Sequence, residues 1–128
     1  HGRAAALVGH HDQWRGLGLD YEAWLAPRRA LRLAGEILTG EERQALQGLD
    51  EAEQARRITL AFSVKESLFK ALYPLTGRRF YFQDAALEGE DRIHLLTTLS
   101  ADWRQGEALS FQRREEAGGL LSWIQIPA

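Results

Sequence analysis

Residues 51–73 read EAEQARRITLAFSVKESLFKALY, the longest stretch of the chain with helical spacing, and Pro74 and Gly77 come after it as stop signals. Immediately upstream, Thr39-Gly40-Glu41-Glu42 matches a capping box with Thr39 as N-cap, which predicts a helix running through Ala45, Leu46 and Leu49. Pro27 suits a first helical turn and opens another helix carrying Leu31, Leu33, Ala34, Ile37 and Leu38. On either side of these helices the pattern changes. Arg3 to Val8 and Trp14 to Asp20 read as strands, and Arg79–Gln83, Arg92–Leu99, Ala108–Arg113 and Leu120–Ile126 read as four short strand-like runs separated by turn residues. Strands, helices and then a β-meander describe an α+β domain, with an antiparallel sheet packed against the long helix. No repeat or linker divides residues 1–128, so one domain is expected.

Composition narrows the function. The chain has 128 residues, 45% hydrophobic and 27% charged, enough to bury one core. Sixteen Lys and Arg against eighteen Asp and Glu leave a net charge of −2, which argues against general nucleic-acid binding. The absence of cysteine excludes disulfide frameworks, thiol catalysis and Cys-ligated zinc. No apolar run reaches the ~18 residues of a membrane span, and the default compartment is the cytoplasm. There is also no methionine, and the chain opens on His1-Gly2-Arg3; a piece of a longer or processed chain is expected.

Two segments carry chemistry. In Gly16-Leu17-Gly18-Leu19-Asp20-Tyr21-Glu22, strand geometry puts Asp20 and Glu22 on one face, where two hard carboxylates suit Mg²⁺ or serve simply as a solvated strand end. The Gly-x-Gly is not a dinucleotide fingerprint, because Tyr21 stands where the third glycine would be. In Phe62-Ser63-Val64-Lys65-Glu66-Ser67-Leu68-Phe69-Lys70, helical spacing aligns Ser63, Glu66 and Lys70, while Phe62, Phe69 and Leu72 can pack inward. Alone, Glu66 and Lys70 are an ordinary surface ion pair. His10-His11-Asp12 reads as a polar loop, and Trp14, Trp24, Trp103 and Trp123 as core or half-buried anchors.

Joined in this order, the two segments resemble the 4′-phosphopantetheinyl transferase superfamily, most closely the type that activates siderophore and peptide synthetases. Leu38-Thr39-Gly40-Glu41-Glu42 resembles its glutamate-rich segment, while Leu72-Tyr73-Pro74-Leu75 and Phe80-Tyr81-Phe82 resemble the segment after its second motif. His1-Gly2-Arg3-Ala4-Ala5 resembles the strand that a Ser-His pair opens in those enzymes, without its Ser. The resemblance implies transfer of the 4′-phosphopantetheine arm of coenzyme A to a serine of an apo acyl or peptidyl carrier protein, releasing adenosine 3′,5′-bisphosphate. It further implies Mg²⁺, or Mn²⁺, held by Asp20, Glu22 and Glu66. Lys70 would hold a phosphate with help from Lys65, and His1 would contact coenzyme A. Glu66, directly or through a water, is the first choice for taking the serine proton, and Lys70 the second.

The resemblance covers the later half of two-half enzymes, so a missing N-terminal half is the expected partner. A single-half homotrimeric synthase and a non-enzymatic carrier-binding or structural domain are the alternatives. Arg28, Arg29 and Arg32 give the first helix a basic face that suits an acidic carrier protein, or is simply solvated.

Overall fold

The helix predicted from Glu51 forms because its ends are closed and nearly every side of it is covered. A computed structural model describes residues 14–127; the expectations for His1, Arg3–Val8, His10-His11-Asp12 and the Trp14 side chain lie outside them. Asp50 caps the N-terminus of α3 (Glu51–Thr76), its Oδ1 accepting the Glu53 N–H at 2.8 Å. Gly77, at φ 66°, closes the other end by donating to the Tyr73 carbonyl. Pro74 lies inside the last turn and does not stop the helix. The bond it cannot donate would have ended on the Lys70 carbonyl, and one lost bond this near the end is tolerated.

Around α3 the chain lays down β1 (Trp14–Ala23), α1 (Pro27–Ile37) and α2 (Gly40–Gln44) before it. After it come a 3₁₀ turn (Phe82–Asp84), β2 (Ala85–Glu88), β3 (Arg92–Leu95), β4 (Ala108–Ser110), β5 (Gln112–Glu116) and β6 (Gly119–Pro127). Two antiparallel three-stranded sheets result, ordered β1-β6-β5 and β2-β3-β4. The architecture is α+β, as expected, with α3 at its centre. Ala55, Ile58 and Ala61 of α3 meet Ala30, Ala34 and Ile37 of α1. Val64, Leu68 and Leu72 meet Ile93 and Leu95 of the second sheet and Ile124 and Ile126 of the first. Full burial of each such leucine contributes about 1.5–3 kcal/mol. Among the described residues, no helix is long and apolar enough to cross a membrane.

The glycines of β1 explain how close this packing is. A Cβ on Gly18 would stand 1.9 Å from the Ser67 carbonyl oxygen, and one on Gly16 would stand 2.8 Å from that of Ala71. Gly-x-Gly is therefore a strand–helix contact, with backbone against backbone.

Besides Pro74, three further expectations need correction. Arg79–Gln83 is not a strand. Asp84 accepts the Tyr81 N–H at 2.8 Å and donates its own N–H to the Tyr81 carbonyl, which closes a turn. Phe80 and Phe82 then pack on Phe69 and Phe62 of α3, with ring centroids 5.4 and 5.5 Å apart, so aromatic packing and not alternation dictates this segment. Second, Ala108–Arg113 divides at the buried Phe111 into β4 and β5, which belong to different sheets. Third, the helix after Thr39 ends at Gln44. Its capping box is present, but tighter bonds follow from Leu46 to Arg43 and from Gln47 to Gln44, and Gly48 turns the chain at φ 88°.

Gly18→Ala is expected to cost at least the about 1–3 kcal/mol typical of overpacking, and more than Gly16→Ala. Urea unfolding of both variants checks this; equal midpoints would show that β1 does not need the close approach.

Candidate active site

The contact between β1 and α3 decides which side chains meet. Directly beyond Gly18 on the same face comes Asp20, then Glu22. From α3 the facing residues are Ser63, Glu66, Ser67 and Lys70. Ser63 and Ser67 both hydrogen-bond the Ser122 hydroxyl of β6, at 2.7 and 2.8 Å, and Ser67 Oγ also donates to the Ser122 carbonyl at 3.1 Å. Ser122 is the cross-strand partner of Asp20. Three buried hydroxyls thus bolt the helix to the two strands directly behind the carboxylates, with every group small enough for the backbones to approach.

On this base Lys70 Nζ donates to Asp20 Oδ1 at 2.9 Å and to the Leu19 carbonyl at 3.2 Å. The Lys70 side chain is 48% exposed whereas that of Asp20 is 6% exposed, so the pair has one wet and one dry end. The other carboxylate oxygen, Asp20 Oδ2, is buried without a hydrogen-bond partner. Glu22 adjoins it. Burial first, then the neighbouring Asp20 and Glu66, hold the Glu22 carboxyl up to about 8. Burial and Asp20 also raise Glu66, while Lys70 pulls it the other way.

Asp20, Glu22, Glu66 and Lys70 are therefore brought together. One corner holds three carboxyl groups, one of them with an unpartnered oxygen, against a single ammonium. Among the described residues, no three acidic or histidine side chains stand ready-made as a metal centre. The donor set nevertheless fits a hard divalent cation: it is all oxygen, and Asp20 Oδ2 is buried with no hydrogen-bond partner.

Lys65 does not join this group. Its ammonium donates to Glu42 Oε1 at 2.7 Å and to the Ile37 carbonyl at 2.9 Å, with 2% of the side chain exposed. Burial pushes it below the ordinary lysine value, and Glu42 opposes that shift. The expected phosphate contact thus meets an ammonium already engaged within the protein. Its position after Val64 turns it roughly 100° from Glu66 around the helix, toward α1 and α2 and away from β1. His1 lies outside the described residues.

Beside Glu66 opens a cleft of about 500 Å³, walled by Phe69, Phe80, Phe82 and Ala85 and edged by Lys65, Arg79, Tyr81 and Gln83. The Arg79 guanidinium lies 5.8 Å from the centre of the Phe69 ring. Sequence reasoning noted Glu42 and Phe80–Phe82 without giving them these partners, and passed over the Ser122 hydroxyl. Ser122 had a signal, being the one hydroxyl in the apolar run Leu120–Ile124. A larger groove, about 690 Å³, lies between α2, α3 and β5. Arg28, Arg29 and Arg32 are exposed on α1 together with Leu31.

A long helix thus packs against antiparallel strands, with acids from strand and helix at their crossing. The family model of the 4′-phosphopantetheinyl transferase superfamily matches residues 16–117, and the chain belongs to that superfamily. Among solved structures it is similar to a holo-(acyl-carrier-protein) synthase from Bacillus anthracis, in complex with CoA (3′,5′-ADP). That similarity has a TM-score of 0.64 at 16% identity, and covers 91% of this chain and 98% of that one. No curated protein matches as a relative.

The raised Glu22 value has a consequence for stability in metal-free buffer. The unfolded chain loses this proton near 4.5 while the folded protein keeps it to about 8. Across that window the folded state binds more protons, so the Glu22 contribution to stability falls as pH rises. Glu22→Gln is expected to raise the melting temperature at pH 8 and leave it almost unchanged at pH 4. Melting curves at the two pH values check this; equal shifts at both would refute it.

Proposed function

We propose that this protein transfers the 4′-phosphopantetheine arm of coenzyme A to a serine of an apo carrier protein, and that the crossing of β1 and α3 is its active site. The observation that carries the reading is the meeting of Asp20, Glu22, Glu66 and Lys70 beside an aromatic cleft, in a chain of this superfamily.

Asp20, Glu22 and Glu66 would hold Mg²⁺ or Mn²⁺, whose chemistry is to draw off negative charge from pyrophosphate oxygens during displacement. The chain's own groups do the rest. Lys70, 48% exposed at the rim of the site, binds a phosphate as a point charge. The cleft takes the amphipathic pantetheine arm: its aromatic walls suit the geminal methyls, and Gln83 and Tyr81 at its edge offer hydrogen bonds to the amides. Glu66, whose carboxyl burial and Asp20 raise above the ordinary value, accepts the proton from the serine hydroxyl. The serine oxygen then bonds to the pantetheinyl phosphorus as the bond to the leaving adenosine 3′,5′-bisphosphate breaks. Exposed Arg28, Arg29 and Arg32, surrounding Leu31, give α1 a face for an acidic carrier protein.

The test is transfer itself. The intact protein, given coenzyme A, Mg²⁺ and an apo carrier, is expected to add one phosphopantetheine mass to the carrier. Asp20→Ala and Glu66→Ala should each lower kcat/KM by about 100-fold or more, the scale of losing a principal electrostatic group. Reversing Arg28 and Arg32 to Glu should raise KM for the carrier and leave that for coenzyme A unchanged. A carrier of unaltered mass with every apo carrier tried would sink the reading.

A further inference from the structure

Glu42 is a hub that the proposed chemistry does not use. Its Oε1 accepts from the Thr39 N–H at 2.9 Å and from Lys65 Nζ at 2.7 Å, and its Oε2 accepts from the Leu87 N–H at 2.9 Å. Lys65 carries the same junction to the end of α1 through the Ile37 carbonyl. One carboxylate and one ammonium therefore tie together α1, the start of α2, α3 and β2. The side chains are only 14% and 2% exposed. They also stand back to back between two openings: Glu42 lines the 690 Å³ groove, and Lys65 lines the 500 Å³ cleft beside Glu66.

Stability alone is a poor reason for such a pair. Two charges taken out of water recover little more than their desolvation cost, and apolar residues of similar volume often serve as well. What the pair supplies is direction, because four hydrogen bonds with fixed geometry define one arrangement of the elements that meet there. Glu66 is the residue next to Lys65. The three serine hydroxyls hold its turn of helix against β1 and β6 on one side, and the Lys65–Glu42 pair holds it against α1 and β2 on the other. The α1 face bearing Arg28 and Arg32 hangs from the same junction through Ile37.

We propose that Lys65 and Glu42 are positioning residues: their buried pair sets the place of Glu66 and of the cleft wall relative to α1, and Lys65 is not a phosphate ligand. The inference rests on the transferase reading and is tested by Lys65→Met and Glu42→Gln in the intact chain. Positioning predicts that both variants melt cooperatively and lose about 10- to 100-fold in kcat, as misplacement by a fraction of an ångström does. Coenzyme A affinity, measured by calorimetry without metal, should stay within about twofold for both. A phosphate ligand predicts another split: Lys65→Met weakens metal-free coenzyme A binding about tenfold or more, while Glu42→Gln, by releasing the ammonium, preserves or tightens it. That result overturns the proposal, as does a lowered melting temperature with unaltered kcat in both variants. If the wild-type chain transfers nothing, the transferase reading fails by itself. The pair is then judged on the gain in coenzyme A affinity that Mg²⁺ brings: its loss in both variants supports positioning, and its survival refutes it.

Discussion

The Ser67 carbonyl faces Gly18 at a distance that leaves no room for a Cβ, and the rest of the molecule is arranged around that contact. Because β1 lies flat on α3, Asp20 falls one pleat beyond Gly18 and directly within reach of Lys70. The small residues are needed as a set. Gly16 and Gly18 remove side chains from the strand, and Ser63, Ser67 and Ser122 fill the remaining space with hydroxyls that satisfy one another. A larger residue at any of these places would lift the strand and separate the acids from the helix.

That arrangement stores unfavourable electrostatics. Three carboxylates share a half-buried corner with one ammonium, and the protein responds by keeping a proton on Glu22 and by raising Glu66. An apolar strand end would be more stable. Functional sites commonly carry such local conflicts, held in place by consistent packing elsewhere. Here the consistency is supplied by α3, buried on nearly all sides between α1 and the two sheets. The opposite conflict sits one residue away, where Lys65 is buried but fully partnered. Adjacent charged residues on one helix thus serve two different ends, because successive positions point about 100° apart.

Much of this is legible in the chain's local chemistry. Apolar spacing, Pro27, the Thr39 capping box and Gly77 locate the three helices, with Pro27 and Thr39 at helix starts and Gly77 at a helix end. Asp20 and Glu22 can be placed on one face from strand period alone. The β elements read less well for physical reasons. Gln112–Glu116 is a charged edge strand without alternation, since neither of its faces is deeply covered. Phe80, Tyr81 and Phe82 have strand-like composition, yet rings on α3 and the Asp84 turn determine their path.

Local sequence thus determined which segments are helical, where they start, and which acids and lysines are close along the chain. These properties depend on neighbours within a few residues, where backbone hydrogen bonds and side-chain spacing are short-range. Tertiary structure alone decided that Lys70 turns to Asp20, 50 residues away, and that Lys65 turns to Glu42. The motif resemblance implied a phosphate contact for Lys70, with Lys65 assisting. They were separated by burial: an ammonium packed among four elements must find its partner inside the protein, whereas one at the rim keeps a face toward solvent.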